Sequence, residues 1–110
     1  MRTQTPLAPG QPDVTVHFVL NDFGGLGRAY VETDEAESDQ STIVDNILSG
    51  QYSSPLRVIA VNTTEGWGRD VTEDIAHAVL DRARSDHRPI ADSAQEFLER
   101  VLKVSVFVNE

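Results

Sequence analysis

The stretch "DVTVHFVLNDFGGLGRAYVET", residues 13–33, decides the fold. Its first half alternates, with Val14, Val16, Phe18 and Leu20 on one face and Thr15, His17 and Val19 on the other, which predicts a strand. "GRAYVET" alternates again, Ala29 and Val31 against Arg28, Tyr30 and Glu32, and predicts a second strand. The glycines between them sit where a phosphate-cradling loop would. A dinucleotide fingerprint, however, needs G-x-G-x-x-G ahead of a helix whose N-terminus receives the pyrophosphate. Gly25 and Gly27 supply the G-x-G, but Tyr30 holds the third glycine position and a strand follows. Glycine also adopts the positive φ that hairpin loops require. The segment therefore reads as a hairpin turn without nucleotide affinity.

Outward from this hairpin, Pro6, Pro9, Gly10 and Pro12 break both helix and strand, so residues 1–12 read as a flexible tail ahead of a single domain, residues 13–110. "SDQSTIVDNILSGQY" predicts a helix capped by Ser38 or Asp39, with an apolar stripe of Ile43, Val44, Ile47 and Leu48 and with Gly50 at its C-terminal exit. "LRVIAVN", after Pro55, is almost continuously apolar and predicts a central strand or one buried on both faces. "RDVTEDIAHAVLDRARSD" predicts a second helix with Asp70 and Glu73 as a capping box and Val71, Ile75, Val79 and Ala83 facing inward. Ser93 and Glu96 offer another box for a third helix carrying Phe97, Leu98, Val101 and Leu102. The last residues, "KVSVFVNE", have the alternation of an edge strand.

The order β-β-α-β-α-α, with that C-terminal edge strand, predicts an α+β fold: a small, mostly antiparallel sheet with helices packed on one face. A crossover from the second strand through the first helix, over the first strand to the third, gives the strand order 2-1-3.

Composition bounds the function. A chain of 110 residues holds one hydrophobic core, and 39% apolar content is that of a globular protein. Eighteen acids against nine bases leave a net charge of −9, which disfavours direct nucleic-acid binding and suits a basic protein partner. Eight of the nine bases are Arg, a bias that suggests a GC-rich bacterial genome. The absence of cysteine excludes disulfide and thiolate chemistry. No apolar run approaches the roughly 18 residues of a membrane span, and the N-terminus lacks the apolar core of a secretory signal. These features place the protein in the cytoplasm.

The segments "LNDFGGLGRAYVETDE", "ILSGQYSSPLRVIAVNTTEGWGRDVTEDIA" and "FLERV" resemble a family of small uncharacterised bacterial proteins, over most of residues 14–102. The resemblance implies no activity and assigns no functional residues. "KVSVFVNE" departs from its pattern.

The best candidate site in the sequence is "NTTEGWGRDVTED", residues 62–74, which leaves the third strand and enters the second helix. Loops at strand ends commonly carry ligands. Trp67, the only tryptophan, lies between Gly66 and Gly68 beside Arg69, and Trp and Arg are the types most enriched in binding hot spots. Either Trp67 folds back as a lid on the core or it is a contact residue. Thr64, Glu65, Trp67, Arg69 and His77 are the candidate binding residues. Thr63, Thr64, Glu65, Asp70 and His77 supply hydroxyls, carboxylates and an imidazole, but hydrolysis needs a base held against a nucleophile. Asp74, His77 and Asp81 instead have the helical spacing of a solvated ion pair. No catalytic residue is assigned.

His17, His77 and His87 fall on three different elements, and "ETDEAESD" (residues 32–39) lacks the glycine and distant Glu of a calcium loop, so no metal or cofactor is expected. The sequence is most consistent with an acidic protein-interaction or regulatory module that binds a protein partner through the Trp67 loop or the acidic run, or pairs with a second copy along the C-terminal edge. The alternative is a small enzyme or ligand-binding domain using residues 62–77. A deep pocket lined by Thr64, Glu65, Trp67 and His77 favours the alternative, and a flat apolar patch or a two-fold interface burying Trp67 favours the first reading.

Overall fold

A computed structural model describes residues 15–31 and 39–103. The proline-rich tail, the acidic run as far as residue 38 and the strand expected after Lys103 lie outside the described residues. The elements are β1 (Val16–Asp22), β2 (Arg28–Val31), α1 (Gln40–Leu48), β3 (Pro55–Asn62), β4 (Trp67–Asp70), α2 (Thr72–Asp86) and α3 (Asp92–Leu102). The strands form one antiparallel sheet in the order β2-β1-β3-β4. The fold is α+β, and the expected 2-1-3 order is present with a fourth strand added at its edge.

The hairpin expected from the glycine segment is there. Asp22 pairs with Arg28, and a single 3-10 turn, Gly24–Leu26, bridges the strands. Gly24 and Gly27 take positive φ (69° and 95°), while the Asp22 carboxylate accepts a hydrogen bond from the Gly24 N–H at 2.9 Å. A strand, not a helix, receives the loop.

α1 is capped by Asp39, whose Oδ1 accepts from the Thr42 N–H at 2.9 Å; bonds from the Thr42 hydroxyl and N–H hold its carboxyl below its ordinary pKa. The helix ends on Gly50 (φ 84°), where an added Cβ would lie 2.9 Å from the Ala91 Cβ, so only glycine allows α1 and the start of α3 to approach so closely. The Ala91 N–H donates to the Leu48 carbonyl at 3.2 Å across the same junction.

β3 is central, one of the two expectations for it, and is buried on one face: Val58, Ala60 and Asn62 are buried while Arg57 is exposed and Ile59 and Val61 are half-buried. Two expectations need correction. The segment read as the approach to α2 contains β4, paired Asn62 to Trp67 and Ile59 to Asp70. Its residues have weak strand propensity, and it forms because β3 offers an open edge to pair with. Asp70 therefore ends a strand rather than capping a helix. α2 begins one residue after Val71, with the Asp70 carboxylate accepting from the Thr72 N–H at 2.9 Å and no returning bond from Glu73. Likewise α3 begins at Asp92, so Ser93 is its second residue and not a cap.

The core lies between the sheet and the helices. Val19, Val58 and Ala60 meet Ile43, Val44, Ile47 and Leu48 of α1, Ile75, Ala76 and Val79 of α2, and Ala94, Phe97 and Leu98 of α3. The Thr72 hydroxyl accepts from the Val58 N–H at 2.9 Å, and the Val71 N–H donates to the Val58 carbonyl at 2.9 Å, locking the start of α2 onto the central strand. Asp45 on α1 pairs with Arg82 of α2 (3.1 Å) and with Arg88 just beyond that helix (2.7 Å), and Arg100 of α3 hydrogen-bonds the Pro55 carbonyl. Among the described residues, no helix is long and apolar enough to cross a membrane.

Candidate functional site

The β3–β4 turn is built by Asn62. Its buried side chain accepts from the Glu65 N–H at 2.8 Å and donates to the Thr15 hydroxyl at 3.1 Å, while its carbonyl accepts from the Gly66 N–H at 2.8 Å. Gly66 takes φ 77° to complete the turn. Alternation along β4 then sends Trp67 and Arg69 to the helix side of the sheet and Gly68 and Asp70 to the other side, because their partners Asn62 and Ala60 are the buried positions of β3.

Trp67 is half-buried and packs against the core margin. Its indole N–H donates to the Glu65 carboxylate at 2.7 Å. The Arg69 guanidinium carbon stands 5.0 Å from the ring centroid, within cation–π range. The two residues form one wall of a cleft of about 420 Å³. Thr15, His17, Gln40 and Asp74 supply its other polar groups, above a floor of Ala60 and Ile75.

Of the residues singled out in sequence, Trp67 and Arg69 line this cleft. Glu65 reaches it only through its bond to the indole, and Thr64 is exposed in the turn. His77 points elsewhere: its Nε2 lies 4.0 Å from the Glu73 carboxylate on the exposed side of α2, so its ion-pair partner is Glu73 rather than Asp74 or Asp81. The deep pocket lined by Thr64, Glu65, Trp67 and His77 together is not formed. Thr15 and His17 were visible in the sequence only as the minority face of β1, and Gln40 only as a helix residue. The pleat and the docking of α1 bring them to Trp67. Among the described residues, no group of three His, Asp or Glu side chains converges to hold a metal ion.

A second surface emerges from the same pleat. On the side of the sheet away from the helices, register aligns Tyr30 with Leu20 and Arg57, Phe18 with Ile59 and Asp70, and Val16 with Val61 and Gly68. The result is a continuous apolar field. Tyr30 is 45% exposed and the remaining apolar members are half-buried. Polar residues close its rim: Arg28 lies 3.8 Å from Asp22, and Arg57 lies 3.6 Å from Asp70. None of the described helices covers it, since all of them pack against Val19, Val58 and Ala60 on the opposite face.

No family model, curated protein or solved structure matches the chain.

Proposed function

We propose that this is a cytoplasmic protein-interaction module whose working surface is the open face of its sheet. The observation that carries the reading is the apolar field of Val16, Phe18, Leu20, Tyr30, Ile59 and Val61, aligned by register on the one sheet face that no described helix covers. A contiguous apolar surface with a polar rim is the usual form of a protein contact. The net charge of −9 sets the electrostatic background: it opposes direct contact with nucleic acid, and among the described residues ten of the twelve acids lie away from the open face, where a basic partner is favoured. A photo-crosslinking aromatic at position 30, installed in cells, is expected to form a covalent adduct with protein, whereas the same group at the exposed helix position Ser85 is not. Absence of any adduct at both positions 18 and 30 refutes the reading.

The cleft favours a second reading, a small-ligand-binding domain. Arg69 is held over Trp67 with no carboxylate within ion-pair distance among the described residues, which suits a small carboxylate or phosphate. Trp67 is the only tryptophan, so its fluorescence reports occupancy directly. A saturable change on titration with such anions, lost in Arg69→Ala, supports this reading, and a flat titration removes it.

A further inference from the structure

We infer that the open sheet face is closed by the same face of a second copy, giving a two-fold, face-to-face dimer. This rests on the interaction reading above and names its partner.

Charge selects the occupant. Among the described residues the open face carries two acids and two bases, Asp22 and Asp70 against Arg28 and Arg57, so it is neutral, whereas the rest of the described residues carry ten acids and six bases. A basic partner gains nothing on this neutral face and would settle on the remaining surface. A neutral face with an apolar centre and equal numbers of Arg and Asp at its rim complements itself under two-fold rotation, as an isologous interface requires. Of the aromatic anchors, Phe18 stands on the inner strand β1 and Tyr30 in the adjacent row on the edge strand β2.

Area sets the strength. Four strands at about 4.8 Å spacing and about 3.3 Å per residue along β1 give a footprint of at most about 440 Å² per copy. Two such footprints sum to about 900 Å², below the span of stable specific interfaces and within that of weak, transient ones, so the dimer is reversible rather than obligate. The two copies repel through their remaining acidic surfaces, so added salt strengthens the dimer by screening that repulsion. A contact steered by opposite charges would weaken instead.

Sedimentation velocity of the full chain, from about 1 µM to about 500 µM, tests this. A concentration-dependent monomer–dimer exchange that tightens with salt is expected. Phe18→Asp and Ile59→Asp are each expected to weaken association about a hundredfold, the effect of placing an unpaired charge in an apolar contact. Tyr30→Ser, at an exposed edge position, is expected to leave the fold intact by circular dichroism and to weaken association about tenfold. Phe107→Asp, in the C-terminal segment, should leave association unchanged. A wild-type chain that stays monomeric throughout overturns the inference, as does a dimer that survives Phe18→Asp and Tyr30→Ser or is abolished by Phe107→Asp. A monomeric chain that still forms adducts with another protein at position 30 overturns the dimer and leaves the interaction reading standing.

Discussion

The two faces of one sheet are made by the same strands and treated oppositely. The helix-covered face holds Val19, Val58 and Ala60 together with the polar residues His17, Asn21 and Asn62, all at most 7% exposed. The open face holds Val16, Phe18, Leu20, Ile59 and Val61, a more apolar set, and leaves it half-buried. Apolar content alone therefore did not choose the core side. The covered face is the one whose apolar side chains, Val19, Val58 and Ala60, are small enough for helices to approach closely. Its asparagines are tolerated because they are hydrogen-bonded: the Asn21 carboxamide accepts from the Ser54 N–H at 2.9 Å and donates to the Ser53 hydroxyl at 3.2 Å. Apolar surface left outside such a core is what a binding face is made from.

The comparison breaks most sharply at Phe97, fully buried between α3 and the sheet. Phe97→Ala should cost about 3–5 kcal/mol in chemical denaturation, the usual result of deleting a buried aromatic ring. Phe18→Ala, measured at a concentration where the chain is monomeric, should cost well under half of that. Equal losses at the two positions would mean that the open face is core.

Asn21→Ala should cost about 2 kcal/mol, since it leaves the Ser54 amide without its acceptor beneath the covered face. Trp67→Ala should also cost about 2 kcal/mol, between a full lid and a free contact, because the ring is half-buried and its N–H is already bonded to Glu65. A wild-type denaturation midpoint for Trp67→Ala would show that the ring contributes nothing to the core margin.

Asp45→Asn should have a smaller effect, about 1 kcal/mol or less at neutral pH. The carboxylate is 49% exposed and solvent screens its pairs with Arg88 and Arg82. Those hydrogen bonds hold its pKa below the ordinary carboxylate value. The contribution is therefore complete above the unfolded pKa of about 3.9 and disappears as pH falls through the lower folded value. Denaturation midpoints of variant and wild type should differ at pH 7 and converge in acid. A gap that persists at pH 2 would mean that the pair acts through packing rather than charge. Leu26→Ser, at 91% exposure on the hairpin turn, should shift stability by less than about 0.5 kcal/mol.

The glycine hairpin and the three helices were legible in the sequence because each depends on local chemistry: positive-φ residues between alternating runs, a capping Asp39, and stripes at helical spacing. β4 was not legible, since Trp67–Asp70 contains Gly68 and Asp70 and becomes a strand only by pairing with Ile59, Ala60, Val61 and Asn62. That one pairing moved Asp70 from helix cap to strand end and turned Trp67 and Arg69 from a loop into the wall of a cleft. The sequence singled out those two residues of the candidate cleft but could not supply Thr15, His17 or Gln40, which approach through strand pairing and the docking of α1.

Period-two alternation in the sequence by itself determined that β1 has two faces and which residues share each. Which face the helices would cover was decided only in the tertiary structure, because alternation divides a strand without ordering its sides. The ordering comes from contacts between elements far apart in the chain, such as the Thr72 hydroxyl on Val58 and Phe97 in the core.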